Sequence, residues 1–174
     1  MLYQEIPFLT FRTFENLERS LIINASDLPV VLNCLKKHIG YQYTLLSCIS
    51  GIDYSKIIYR FGISYEILSI TYNTRLNIKI FFNNPDLIYS IVDIYKCANW
   101  WEREIWDMFG IFFSLNLDLR RILTDYGFEG HPLRKDYPVH GFLEIFYKLK
   151  EKKILSDFVS FSQESRFYLY DNAW

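Results

Sequence analysis

The chain is poor in the residues that most chemistry needs. Its three cysteines, Cys34, Cys48 and Cys97, are odd in number, far apart and without CxxC spacing. That pattern reads as ordinary thiols in a reducing compartment, and it excludes the closely spaced cysteines of an iron–sulfur site. Only His38, His131 and His140 are present, with no HxxxH spacing for a metal. Neither GxGxxG nor GxxxxGK[ST] occurs, so no dinucleotide or phosphate-loop signature is present. Serine and cysteine nucleophile motifs are missing as well. No apolar run is long enough to cross a bilayer, because Arg60, Glu66, Arg75, Lys79, Asp86 and Asp93 interrupt every candidate span. A net charge of −1 offers nothing to nucleic acid or acidic lipid. The first twenty residues have no basic stretch leading into an apolar core. Glu5, Glu15 and Glu18 also argue against an acidic-poor import presequence. Alanine occurs only at positions 25, 98 and 173, whereas Ile, Tyr, Phe, Asn and Lys abound. AT-rich codons encode those residues, which suggests an organelle-encoded protein, with an AT-rich bacterium as the alternative.

What is present is buriable surface. Hydrophobic residues make up 51% of the 174 and aromatics 19%, an excess that must enter a core or a partner surface. Pro29 in a first turn and a stripe of Leu28, Val31, Leu32, Leu35 and Ile39 predict a helix capped by Ser26 or Asp27 and closed by Gly40. Leu21–Ile23 precedes it as a short strand. From Tyr43 the period changes to two. Segments 43–52, 57–70 and 76–82 then read as three strands of an antiparallel meander, with turns at 53–56 and 73–74. Asn84-Pro85 begins a predicted helix to about Tyr95, although its β-branched residues also suit a strand. The fold class is therefore α+β: an antiparallel sheet of three to four strands packed by two or three short helices. Gly141–Tyr147 and Leu155–Phe161 alternate like further strands. Residues 1–147 are expected to form a single α+β domain. Residues 148–174 are expected to form an extended C-terminal tail that docks through Arg166, Phe167, Tyr168, Tyr170 and Trp174.

The chemistry concentrates between Asn99 and Pro138. Asn99 and Glu102 have the spacing of a capping box, Arg103 and Asp107 lie one helical turn apart, and Gly110 suits a left-handed exit. Trp101, Ile105 and Met108 form the buried face. From Asp118 to Pro138 no period persists. Arg120, Arg121, Arg134 and Lys135 stand against Asp118, Asp125, Glu129 and Asp136, with Leu119, Ile122, Leu123, Tyr126, Phe128 and Leu133 as anchors. Such a loop is an irregular segment held in shape by ion pairs or by a partner. Glu102 and Glu104, two apart on a helix, point to different sides and read as structural rather than as a catalytic pair. His131, in Gly130-His131-Pro132, reads as a satisfied loop histidine. Its competing role is a base working with Asp125 or Asp136 in an independent hydrolase. Four interleaved acids set Arg120-Arg121 and Arg134-Lys135 against phosphate binding.

The strings EREIWDMFGI (Glu102–Ile111) and DLRRILTDYGFEGHPLRKDYP (Asp118–Pro138) resemble the thirty-kilodalton subunit family of respiratory complex I, the proton-pumping NADH:ubiquinone oxidoreductase. Similarity continues more weakly through RFGISYEILSI, SIVDIYKCANW, GFLEIFY and SQESRFYLYDNAW. The resemblance singles out Glu102, Arg103, Glu104, Asp107, Gly110, Asp118, Arg120, Arg121, Asp125, Gly127, Gly130, His131, Pro132, Arg134, Lys135, Asp136 and Pro138 as the structural or interface motif. One departure stands out: a His-Pro pair usual in the family is replaced by Asn116 and Leu117, so no role of that histidine carries over, metal ligation included. The resemblance implies a cofactor-free structural subunit of the hydrophilic arm, peripheral to the mitochondrial inner membrane on the matrix side. Its partners would be the large quinone-site subunit and cluster-bearing neighbours, with FMN, iron–sulfur clusters and quinone held by those partners. A related membrane-bound hydrogenase or plastid-type dehydrogenase is the alternative assembly.

Overall fold

The computed structural model describes residues 10–13, 19–54, 59–83, 88–161, 163, 164 and 166. They fall into two compact units that divide between Asp136 and Tyr137.

In the first unit, strands β1 (Thr10–Thr13) and β2 (Arg19–Ile22) precede helix α1 (Leu28–Lys37), which enters through one 3-10 turn. Then come β3 (Leu45–Asp53), β4 (Phe61–Ser69) and β5 (Thr74–Phe82). The five strands form one sheet in the order β1-β2-β5-β4-β3. As the alternation predicts, β3, β4 and β5 are a sequential antiparallel meander. β2 joins it parallel to β5, which places Leu21 opposite Ile78. A short second chain crossing follows: β6 (Ile88–Tyr89), helix α2 (Ala98–Phe109) and β7 (Phe113–Ser114), with β6 and β7 paired in parallel.

The core is the meeting of three apolar patterns. Leu28, Val31, Leu32 and Leu35 of α1 are buried, as the i, i+3, i+4, i+7 stripe demands. Ile63, Tyr65 and Ile67 of β4 and Ile78 and Ile80 of β5 are buried from the sheet, and Ile105, Met108 and Phe109 from α2. Gly51 makes the last packing possible, because a Cβ there would meet the Phe109 ring at 2.8 Å.

Three expectations are corrected. α1 ends at Lys37, with His38 extended, so Ile39 is exposed and Gly40 does not cap the helix; nor does the Asp27 side chain cap the first turn. The described part of the helix expected from Asn84 is strand β6 followed by a turn in which the Ile94 and Tyr95 amides bond to the Ile91 carbonyl. Its β-branched residues disfavour a helix, and Phe112 and Ser114 supply strand partners for Ile88 and Ser90. The residues of its Asn84-Pro85 start lie outside the described ones. Finally, α2 has no capping box. Cys97 holds the cap position without a side-chain bond, and the amides of Ala98 and Asn99 bond to the Tyr95 and Lys96 carbonyls.

The second unit contains an antiparallel hairpin, β8 (Leu143–Lys148) and β9 (Lys153–Phe158). Both strands expected from alternation form, so β9 occupies residues expected to be extended tail. The aromatic residues from Phe167 onward lie outside the described ones.

Candidate functional site

The site is built on the last turn of α2. Hydrophobic periodicity makes the helix, and Gly110 ends it in the left-handed conformation at φ 72°, which it tolerates for lack of a Cβ. A helix end leaves carbonyls without intrahelical partners and a partial negative charge. Residues 131–134 satisfy them in order. His131 Nδ1 lies 3.0 Å from the Asp107 carbonyl, Leu133 N donates to the Met108 carbonyl at 3.1 Å, and Arg134 Nε donates to the Phe109 carbonyl. A further Arg134 nitrogen reaches the Gly110 carbonyl at 3.5 Å. The HPLR sequence is thus a cap for this helix, contributed from twenty-odd residues downstream. The guanidinium also meets the negative end of the dipole and lies 5.5 Å from the Phe61 ring.

Asp107, on the same turn, is completely buried and gathers the other half of the loop. Its Oδ2 accepts from the amides of Ile122, Leu123 and Thr124 at 3.3, 2.9 and 3.0 Å. Its Oδ1 accepts from Thr124 Oγ1 at 2.6 Å and from Arg121 Nη1 at 2.8 Å. Arg121 also donates to the Gly130 carbonyl at 3.1 Å and lies over Trp106 and Phe128. Burial alone would raise the Asp107 pKa. The Thr124 and Leu123 bonds and the Arg121 cation outweigh it and hold the carboxyl down at about 2. The expected Arg103–Asp107 pair does not form, because Arg121 takes the carboxylate while Arg103 Nε donates to the Arg120 carbonyl at 3.1 Å. Arg103 is also stacked near Trp100.

Glu102, one and a half turns earlier, does not reach back to Asn99. It is completely buried and ties three segments together. Its oxygens accept from Ile91 N at 2.8 Å, Ser90 Oγ at 2.7 Å and Asn116 Nδ2 at 2.8 Å. Burial dominates and raises its pKa, and these three bonds only partly offset it. Asn116, where the sequence departs from the motif, is therefore the carboxamide that closes this buried carboxylate. Its own Oδ1 accepts from Asp118 N at 3.0 Å. Glu104 stands apart from both clusters, half-buried on the helix, as its spacing from Glu102 requires.

A third anchor lies at the open end of β3 and β4. Asp53 accepts from Lys135 N at 2.9 Å and pairs with Arg60 at 3.3 Å, and Arg60 also pairs with Asp136 at 2.8 Å. The loop charges were expected to balance within the segment. Only Arg120 and Asp118 do so, at 3.2 Å and in solvent. Arg121, Arg134 and Asp136 instead clamp the loop to the helix and sheet through their side chains. Asp125 accepts from the Tyr126 amide, Gly127 and Gly130 have φ of 77° and 101°, and Glu129 is exposed. Pro138 lies in the second unit, where its carbonyl accepts from Gly141 N.

His131 is a satisfied loop histidine, as read from the sequence. Its partner is a carbonyl, so Nδ1 carries the hydrogen, and burial followed by the nearby arginines depresses its pKa. The base required of the hydrolase alternative would bond to Asp125 or Asp136, which bond instead to Tyr126 and Arg60. Sequence reasoning missed Asp53, Arg60, Ser90 and Thr124. No local spacing announces them, because each acts across a tertiary contact. Among the described residues no group of His, Cys, Asp or Glu is arranged for a metal ion, and no helix is long and apolar enough to cross a membrane.

Comparison with known proteins assigns this architecture. The family described as respiratory-chain NADH dehydrogenase, 30 Kd subunit, matches residues 21–143. NADH-ubiquinone oxidoreductase subunit 9 of Prototheca wickerhamii is 41% identical over 157 residues, covering 90% of this chain and 82% of that protein. NADH dehydrogenase [ubiquinone] iron-sulfur protein 3 of Arabidopsis thaliana is 42% identical over 151 residues, covering 87% and 80%. Two solved structures, each 21% identical, share the fold. The trypsin-resistant fragment of Nqo5 covers 64% of this chain and 89% of its own with a TM-score of 0.58. A chain of the archaeal membrane-bound sulfane sulfur reductase covers 79% and 81% with a TM-score of 0.67. The chain belongs to the 30-kDa subunit family of respiratory-chain NADH dehydrogenase, and so forms part of an oxidoreductase complex.

Proposed function

We propose that this chain is a cofactor-free structural subunit of the hydrophilic arm of proton-pumping NADH:ubiquinone oxidoreductase. In this reading it lies peripherally on the matrix side of the mitochondrial inner membrane. It packs against the large quinone-site subunit and its cluster-bearing neighbours. FMN, iron–sulfur clusters and quinone are held by those partners, and this chain keeps them in register. Electron transfer depends on positions held by a packed supporting shell, so a subunit without chemistry of its own still supports turnover.

One observation carries the reading. Charged groups of the 118–136 segment brace it against the rest of the unit: Arg121 to the buried Asp107, Arg134 to the α2 carbonyls and, nearer solvent, Asp136 to Arg60. The braced loop presents apolar side chains outward, with Leu117 and Tyr126 fully exposed and Leu123 and Leu133 more than half exposed. A desolvated charge pair such as Arg121–Asp107 specifies geometry more readily than it adds net stability, which suits a platform that a partner must recognise. The relatives named as NADH-ubiquinone oxidoreductase subunits, from an alga and a plant, support the assembly.

The test is native-gel migration of this chain from gently solubilised mitochondrial membranes with an in-gel NADH dehydrogenase stain. Co-migration with a very large NADH-oxidising band is expected. Migration as a small free protein would overturn the proposal.

A further inference from the structure

The β8–β9 hairpin has one face that nothing among the described residues of its own unit covers. The register places Leu143 opposite Phe158, Ile145 opposite Ser156 and Tyr147 opposite Ile154. Alternation puts these six side chains on one face, and the five large ones are between 56% and 78% exposed. The other face is mixed: Glu144 opposite Asp157, Phe146 opposite Leu155, Lys148 opposite Lys153. A two-stranded ribbon with an uncovered apolar face is marginal in water. The sequence nevertheless spends five large side chains on it.

The turn gives the face its polarity. Lys148, Lys150, Lys152 and Lys153 surround a single acid, Glu151. Glu151 is shared by Lys148 and Lys153 and its pKa is lowered by them. Lys150 and Lys152 have no acidic partner among the described residues. Leu149 extends the apolar surface to the tip, 80% exposed. The surface that fits is thus an apolar strip ending in carboxylates.

Two occupants are disfavoured physically. A bilayer would leave the unpaired edges of the ribbon without hydrogen-bond partners in hydrocarbon. The like-charged Glu144–Asp157 pair would also be repelled by anionic lipid. A protein surface satisfies both, since it supplies apolar area, carboxylates and main-chain groups along an edge.

Resting on the subunit reading above, we infer that the β8–β9 hairpin is a docking element whose apolar face, Leu143, Ile145, Tyr147, Ile154 and Phe158, and lysine tip, Lys150 and Lys152, seat on an apolar strip rimmed by acidic side chains on another subunit of the same complex.

The test is zero-length carbodiimide coupling of amines to carboxylates in solubilised membranes, followed by peptide mass spectrometry of the NADH-oxidising band. Coupling of Lys150 or Lys152 to an Asp or Glu of another subunit is expected. The Lys150→Glu, Lys152→Glu double variant, which touches no described contact, should lose that coupling and dissociate from the band several-fold more in high salt. Three results would overturn the inference while leaving this chain in the band. These are coupling only to its own acids, coupling only to a second copy of itself, or lysines shielded by anionic vesicles alone. Absence of the chain from the band would overturn the subunit reading as well.

Discussion

Asp107 and Glu102 sit on one helix, both completely buried, yet their carboxyls are pushed in opposite directions. The difference lies in their partners. Asp107 meets a guanidinium and three main-chain amides, whereas Glu102 meets a hydroxyl, one amide and a carboxamide, and no cation. Replacing Asp107 with Asn leaves the Arg121 charge half-buried and several donors short of an acceptor. A loss of about 3–4 kcal/mol in unfolding free energy is expected by urea titration. The pH dependence follows from the signs. Asp107 is depressed, so its contribution is fully present above its unfolded value of 3.8 and is lost as pH falls through about 2. Glu102 is raised and acts oppositely: its burial removes stability as pH rises past 4.5. His131 is depressed, so the unfolded chain binds a proton first as pH drops below 6.5, and stability falls there. Between pH 7 and pH 5 Glu102 and His131 oppose each other, so the His131 share is read by comparing the urea midpoints of the parent and a variant over that window. The His131→Gln variant should lose less stability than the parent, or gain more, as pH falls from 7 to 5.

At the scale of the element, the end of α2 behaves as a socket. Gly110 and Gly127 both have positive φ, but a Cβ at Gly110 would collide with the His131 and Arg134 side chains, whereas at Gly127 nothing lies within 4 Å. Gly127→Ala should cost only the left-handed conformation, about 1 kcal/mol. Gly110→Ala adds displacement of the cap, so about 2 kcal/mol or more beyond that is expected. Paired denaturation curves read the difference. A larger loss at Gly127 would contradict the socket. The helix, its left-handed exit and the three-strand meander were legible because each depends on periodicity or on a conformation available to few residues. The capping box was not realised, because Tyr95 and Lys96 served the first amides while Ser90, Ile91 and Asn116 claimed Glu102. The described residues of the expected helix after Asn84 became strand β6 because Phe113 and Ser114 lay beside them as partners.

For the whole molecule the arginines divide by what they brace. Charge reversal at Arg121 or Arg134 removes the clamp on α2. It should lower the amount of assembled complex severely, with turnover per remaining complex nearly unchanged. Arg120 pairs with Asp118 in solvent, a contact worth about 0–1 kcal/mol, so Arg120→Glu should leave the chain's own stability within that range. Any assembly defect it causes then reports a partner contact. Native-gel band intensity against quinone reductase activity separates the cases. Normal complex levels with lost activity in the Arg121 or Arg134 variants would refute their bracing role.

The sequence by itself determined the α+β class, the meander, the helix ending at Gly110, and the density of charge and apolar anchors between Asp118 and Asp136. Those features are local: they follow from period, turn chemistry and composition within a few residues. Only the tertiary structure decided which charge meets which group. A buried carboxylate takes whichever cation and amides the fold brings within 3 Å, and sequence distance does not enter that choice. Asp107 therefore went to Arg121 rather than Arg103, Asp136 to Arg60, and the Arg134 guanidinium to the helix carbonyls.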